Sequence, residues 1–239
     1  MIGNDARRTT QGDTSEKLRC VAEAEALGDA CFDYILGEIR PGVTEHEIAA
    51  RIDEWLLSHG GEALAFPTIC VSGPRGWLMH GEPSEKIIEK GELLTLDFGA
   101  IYGGYCGDMT RTVAVGAEPG SEEKRCYALV LEAQKRGIEA LAAEKSCREV
   151  DAAARENINL AGYGGNFMHG TGHGVGMEVH IPPYLNRRTD ETLQAGDAVT
   201  VEPGIYVEDR FGVRIEDLLI IGDTDIINLT KSPKELIVI

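Results

Sequence analysis

The chain is predicted to fold as an internally duplicated α+β domain, with antiparallel strands inside and helices covering one side. Three observations carry this expectation. One order of elements runs through the sequence twice: a helix pair, a histidine-bearing loop and a pair of acid-bearing strands. The second helix of each pair opens at a capping-box pattern, Thr44-x-x-Glu47 and then Ser146-x-x-Glu149. Each repetition closes with two apolar runs of strand length that carry two carboxylates, Asp97 and Asp108 in the first, Glu202 and Glu216 in the second. The halves fall at about residues 16–120 and 121–239, and a site is expected where they meet.

Taken in order, residues 1–15 read as a polar arm. From Leu18 to Ile39 apolar residues recur at helical spacing (Leu18, Val21, Ala22, Leu27, Cys31, Ile35), and Arg40-Pro41-Gly42 ends the helix. A second helix starts at Thr44, buries a stripe of Ile48, Ile52, Trp55 and Leu56, and stops at Gly60-Gly61. A loop-rich stretch around His80 precedes a strand, Leu93 to Gly99, in which Leu94, Leu96 and Phe98 alternate with Thr95 and Asp97. Asp97 therefore projects on the polar side. AIYGGYCG turns the chain, and Asp108 opens a returning strand whose Asp108, Thr110 and Thr112 share a face, so a hairpin brings the two aspartates together. In the second half, helices from Ser121 and from Val150 towards Leu160 lead into a His/Gly loop. Ala198 to Val207 and Gly212 to Ile221 then read as two strands joined by EDRFG.

With 239 residues and 43% of them hydrophobic, the chain can bury a full core. Its formal charge of −17 argues against a nucleic-acid partner or an anionic membrane surface, both of which need clustered Lys and Arg. Six cysteines lie scattered without a CxxC pair and read as free thiols of a cytoplasmic protein. The amino terminus has no apolar signal core, and no apolar run approaches the roughly 20 residues that span a bilayer, so no export and no membrane partner are expected.

Residues Phe167 to Pro183, FMHGTGHGVGMEVHIPP, place His169, His173 and His180 among glycines that let the backbone approach a ligand closely. Asp97, Asp108, Glu202 and Glu216 sit on apolar runs where an unpaired charge is expensive. Four carboxylates converging on one cleft would repel unless cations neutralise them, and two divalent ions cancel four negative charges. Paired ions can activate a shared water for hydrolysis. An oxygen-rich shell with one imidazole fits Mn²⁺, and also Co²⁺, Fe²⁺ or Zn²⁺. Other residues carry plainer readings. His46 and His59 read as solvated surface, and Cys106 as a packing residue. His169 is either a substrate-shell group or a loop histidine bound to backbone, and Arg214 either pairs with site carboxylates or forms a structural salt bridge. GTGHGVG lacks the Lys-Ser/Thr of a phosphate loop.

LDFGAIYGGYCGDMTRTVAVG, HGTGHGVGMEVH, TVEPGIY and GVRIEDLL occur in the order seen in the metallopeptidase family that contains methionine aminopeptidase, prolidase and aminopeptidase P. The chain resembles that family over about residues 16–239, and the resemblance implies a catalytic domain of the pita-bread fold. By the same resemblance, Asp97 would bind one metal ion and His173 with Glu202 the other, while Asp108 and Glu216 would bridge both. Glu202 would also shuttle the proton between a metal-bridging hydroxide and the leaving amine. His80 and His180 match the family's two non-ligand histidines, which bind the substrate and the tetrahedral intermediate. GYCGDMTRT, the two prolines after His180, Arg214 in GVRIED and the closing LTKSPKELIVI look like prolidase and aminopeptidase P. Expected, then, are peptide substrates, removal of an amino-terminal residue from Xaa-Pro peptides, and a homodimer as an admissible assembly. Three features depart from the pattern: Ile181 where the family usually has Glu, Lys145-Ser146 for a common Pro-Gly, and no counterpart of the amino-terminal domain that most proline-specific members carry. Two alternatives stand beside this reading, a methionine aminopeptidase-like enzyme and a metal-free binding protein on the same fold.

Overall fold

A computed structural model describes residues 14–239. Most of the expected polar arm therefore lies outside the described residues. The first helix, α1 (Thr14–Leu36), begins ahead of Leu18 and ends at Leu36, and α2 (Glu45–Ser58) follows. Strands β1 (Ala63–Leu64) and β2 (Ile69–Ser72) lead to β3 (Leu93–Phe98), β4 (Ala100–Tyr102), β5 (Tyr105–Cys106) and β6 (Met109–Ala114). Then come α3 (Ser121–Glu139), α4 (Cys147–Leu160), β7 (Gly172–Gly174) and β8 (Ile181–Leu185). The last strands are β9 (Ala198–Val201), β10 (Gly204–Val207), β11 (Phe211–Arg214), β12 (Asp217–Ile221) and β13 (Ile226–Asn228).

Every paired strand is antiparallel, in sheets ordered β2-β3-β6, β13-β12-β9-β7-β8, β1-β4-β5 and β10-β11. The fold is thus α+β, as expected. Alternation along β3 does what the sequence implied. Leu94, Leu96 and Phe98 join Phe32, Ile35, Ile48 and Ile52 of α1 and α2 in one core, whereas Thr95 faces Thr112 across the hairpin at 3.0 Å and Asp97 stands on that same face. In the second half Val199, Val201, Leu219 and Ile221 pack with Leu141, Cys147 and Val150, and their neighbour Thr200 turns the other way. A bridge between Thr110 and Glu216 joins the two hairpins at their acid-bearing ends. No helix among the described residues is long and apolar enough to cross a membrane.

Four local expectations are corrected. Ala198–Val207 and Gly212–Ile221 are not continuous strands, because each breaks at its acid: Glu202-Pro203 separates β9 from β10, and Ile215-Glu216 separates β11 from β12. Proline has no N–H for the ladder, so the first break follows from residue type. The stretch before His80 is not all loop, since Ile69–Ser72 pairs with β3 in the register Ile69 to Asp97. The His/Gly segment is not a loop throughout, for Gly172–Gly174 is a strand inside the five-stranded sheet. Glycine makes that possible, since a Cβ on Gly172 would lie 1.9 Å from the Thr200 carbonyl oxygen. The capping box is complete at Thr44, where Thr44 Oγ1 accepts from the Glu47 amide at 3.1 Å and Glu47 Oε2 from the Thr44 amide at 2.8 Å. At Ser146 the side chain makes no cap hydrogen bond and Glu149 turns to Lys145 instead.

Candidate metal centre

Asp108, Glu202 and Glu216 leave the sheets where a strand ends or breaks, Asp97 projects from within β3, and the four meet in one cleft of about 450 Å³. Asp97, Asp108, His173, Glu202 and Glu216 all line it, as do His80 and His180. One ligand atom each of Asp108, His173 and Glu216 falls within 4.8 Å of the other two. His173 Nε2 lies 3.6 Å from Asp108 Oδ2 and 3.3 Å from Glu202 Oε1, which ties Glu202 to the group. Asp97, which lines the same cleft, is paired through Oδ2 with Arg214 Nη2 at 2.5 Å.

Backbone and side-chain bonds fix these positions. Glu216 N donates to the Thr110 carbonyl at 3.1 Å, and the Thr110 hydroxyl donates to Glu216 Oε2 at 2.6 Å. Arg111, itself buried, donates to the Glu216 carbonyl and to Asp217. The Asp108 amide donates to Glu25 Oε2 at 3.0 Å, and the His173 amide to Thr200 Oγ1 at 3.1 Å. From α4, Arg155 grips Asp151 with Nε and Nη2 at 2.9 and 2.8 Å and donates to the carbonyls of Phe167 and His169. Asp151 in turn accepts from the amide and hydroxyl of Thr171. The segment that leads into His173 is therefore pinned to a helix.

The charges are out of balance without a cation. Burial, reinforced by the neighbouring charges of Glu216, Asp97 and Glu202, pushes the Asp108 carboxyl well above its ordinary range. Burial and the charges of Glu202 and Asp97 do the same to Glu216. Asp97 is also raised by burial, against the pull of Arg214. Burial works against the charge on Glu202 too, but the hydrogen bond and charge of His173 hold it down at about 2. The reciprocal effect raises His173 despite its burial, and His180 is lowered by burial and by His173 beside it. The ring centroids of His173 and His180 are 4.1 Å apart.

The donor set fits a metal. Asp97 Oδ1 is buried and has no hydrogen-bond partner among the described residues, a costly arrangement for an oxygen that faces no ligand. Three further carboxylates and one imidazole surround the same space, and carboxylates forced upward in pKa give up their protons when a dication replaces them.

Several residues left open or missed in the sequence take up definite places. Arg214 pairs with a site carboxylate and also donates to Thr110 Oγ1, Tyr206 Oη and the Met79 carbonyl. His169 is bound to backbone, its Nδ1 bonding the Gly170 carbonyl at 2.7 Å, while its Nε2 meets Tyr206 Oη at 2.8 Å and the residue lines the cleft. Tyr206 Oη also accepts from Arg214, and burial lowers the pKa of His169, which favours its neutral form. Cys106 is buried, with its Sγ 3.7 Å from the Met177 carbonyl oxygen. His46 and His59 are exposed, as expected. Glu25 was missed, although a glutamate four residues after Val21 and seven before Phe32 stands in the buried stripe of α1.

Among the described residues, antiparallel sheets and four α-helices surround an Asp/His/Glu centre, and the chain belongs to metallopeptidase family M24, whose model matches residues 19–223. That membership implies a divalent metal. Among the relatives, the chain is 44% identical over 226 residues to the uncharacterized peptidase YqhT of Bacillus subtilis, covering 95% of this chain and 64% of that protein. It is 40% identical over 224 residues to the Xaa-Pro dipeptidase of Pyrococcus furiosus, covering 94% and 64%. Of the solved structures, the Xaa-Pro dipeptidase from Bacillus anthracis superposes with a TM-score of 0.94 at 46% identity, over 98% of this chain and 65% of that one. The prolidase from Pyrococcus furiosus gives 0.91 at 38% identity, over 95% and 67%. The chain thus spans slightly less than two thirds of the length of these curated relatives.

Proposed function

We propose that this chain hydrolyses the bond between an amino-terminal residue and proline in short peptides. The observation that carries the reading is the convergence of four carboxylates and His173 on one cleft that is also walled by Phe66, Pro67 and Tyr184. An Xaa-Pro bond is a tertiary amide with no N–H to offer, so a shaped apolar wall suits it better than a hydrogen-bonding strand edge. Trp77, Pro182 and Pro183 are not among the residues that line the cleft.

In this proposal Asp97 holds one divalent ion, His173 and Glu202 the other, and Asp108 and Glu216 are shared. Mn²⁺ is the first candidate for an oxygen-rich shell, with Co²⁺, Fe²⁺ or Zn²⁺ as alternatives. When bound, the ions supply an acidified water and polarise the scissile carbonyl. Glu202 takes a proton at its carboxylate and returns it to the leaving proline nitrogen. His80 and His180 donate hydrogen bonds to the carbonyl oxygen as it gains charge, and Arg214 fixes the rotamer of Asp97 through the bond at 2.5 Å. Residues 16–239 form the catalytic unit, with duplicated halves at about 16–120 and 121–239 that meet at the cleft. Six buried cysteines with no disulfide among them support a reducing cytoplasm as its compartment, and a homodimer is the assembly to test.

A panel of Xaa-Pro, Xaa-Ala and Met-Ala peptides, assayed after loading with each metal, tests the reading. At least a tenfold higher kcat/KM for proline over alanine is expected, about 1.4 kcal/mol in transition-state binding. Cleavage of Met-Ala with none of Xaa-Pro would assign the methionine branch, and a folded chain that takes up no metal and cleaves nothing would leave a binding protein.

A further inference from the structure

Glu45 is the first residue of α2 and its side chain is completely buried, yet it lies apart from the carboxylates of the cleft. It accepts five hydrogen bonds. Ser72 donates to Oε1 from its amide and hydroxyl at 2.7 and 3.0 Å. Ser84 donates to Oε2 from its amide and hydroxyl at 3.2 and 2.7 Å, and Arg75 Nε does so at 3.0 Å. One carboxylate thus closes both ends of the segment 73–83 and holds one residue within it. The start of α2 reinforces the closure, for the Glu45 and His46 amides donate to the carbonyls of Lys86 and Ser84. Arg75 reaches on to the Glu82 carbonyl at 2.6 Å.

What this segment presents is the wall of the cleft: Met79, His80, Gly81, Glu82 and Pro83 all line it. Its far side is fixed as well. Gly76 and Gly212 touch backbone to backbone, since a Cβ on Gly212 would lie 1.9 Å from the Gly76 carbonyl oxygen, and the Met79 carbonyl accepts from Arg214 at 3.1 Å. His80 itself is exposed. Its place over the cleft is therefore set by how its segment is anchored rather than by its own packing.

We propose that Glu45 is a positioning residue for His80, acting by clamping the base of the 73–83 segment. The inference rests on the role given to His80 above. A neutral carboxamide cannot do this, because either of its orientations sets an NH₂ group against two or three of the donors now bound. Glu45→Gln should loosen 73–83 and leave the metal ligands untouched. Two measurements test it. Hydrogen exchange in residues 73–83 should speed up by about tenfold or more in Glu45→Gln, with exchange in α3 and α4 unchanged and metal content normal. On Xaa-Pro substrate, kcat should fall about tenfold with KM changed little, and Glu45→Gln should add less than about twofold when His80 is already alanine. Ser84→Ala, which removes one hydroxyl donor and is the milder change, should move both readouts in the same direction if Glu45→Gln folds poorly. Unchanged exchange in 73–83, or a loss that multiplies in full with that of His80→Ala, would overturn the proposal. An inert His80→Ala beside faster exchange would instead strike at the role of His80, and the positioning proposal would fall with it.

Discussion

Replacing Arg155 by methionine should unfold the protein at a much lower temperature, although the side chain touches none of the proposed metal ligands. Arg155 is 3% exposed and Asp151 fully buried, and they form a two-pronged ion pair one helical turn apart on α4. Methionine keeps much of the stem that packs but none of the guanidinium. It leaves Asp151 charged and buried with only the two Thr171 donors, and frees the Phe167 and His169 carbonyls. Removing one partner of a buried pair costs about 3–5 kcal/mol. The guanidinium also lies 3.8 Å from the centroid of the Phe167 ring, a contact worth about 1–2 kcal/mol when desolvated and lost at the same time. Together these come to about 4–7 kcal/mol, and at about 2–4 °C per kcal/mol for a chain of this size Tm should fall by about 8–28 °C. Arg155→Lys should recover part of that, since it restores charge but not the fork. Differential scanning calorimetry on metal-free protein reads both. A fall in Tm of less than about 3 °C for Arg155→Met would mean that Asp151 is solvated or otherwise compensated, and would refute the anchoring of the His169–His173 segment to α4.

Asp108→Ala or Glu216→Ala should lose both metal ions in elemental analysis, because each is proposed to be shared, while Asp108→Asn should melt above the parent in metal-free buffer because folding no longer has to bury a charge or take up a proton there. His80→Ala and His180→Ala should each lower kcat by about 10²-fold or more with KM moved much less and metal content normal; unchanged kcat in both would return them to structural roles. Burial pushes the Glu25 carboxyl up to about 8, against hydrogen bonds from Thr230 and the Asp108 amide. The folded state then keeps a proton that the unfolded chain releases, so metal-free stability should fall as pH rises from the ordinary carboxylate range to about 8, by up to about 1.4 kcal/mol per pH unit. Glu25→Gln should flatten that slope in urea titrations, and an unchanged slope would show that other groups set it.

The parts of this site legible in the sequence were those governed by short-range rules. Asp97 could be placed because alternation along Leu93–Phe98 separates the helix-facing leucines from Thr95 and Asp97. Thr110 and Asp108 followed from the same alternation on the returning strand, and Thr44 with Glu47 announced a helix start that the structure contains. Relations between distant segments were legible only in outline, as with Arg214, weighed as a partner of some site carboxylate without a choice of which. Glu25 reaches Asp108 across 83 positions and Arg214 reaches Asp97 across 117, and no local pattern encodes such a pair. Glu25 left one trace, a charge inside an apolar helical stripe, whose partners can be named only from the fold. Similarly, Gly172 and Gly174 read as loop punctuation, because the crowding that demands glycine comes from β8 and β9, which are remote in sequence. At Ser146 a local signal was present and the structure left it unused, since Glu149 has Lys145 within 3.1 Å.

Glu216 offers a last consequence. Its amide, its carbonyl and one carboxylate oxygen are all committed, to Thr110 O, to Arg111 and to Thr110 Oγ1. Such a residue has almost no freedom to be adjusted, and a substitution there disturbs the seam between the two hairpins together with the centre itself. Part of the cleft wall is differently made, since Phe66 and Tyr184 come from the flanks and connections of the sheets and Tyr184 is exposed. Heritable change can thus rework what the cleft admits at small cost in stability, whereas any drift in the chemistry must first unmake the scaffold. On this architecture, new substrates are cheap to evolve and new reactions are not.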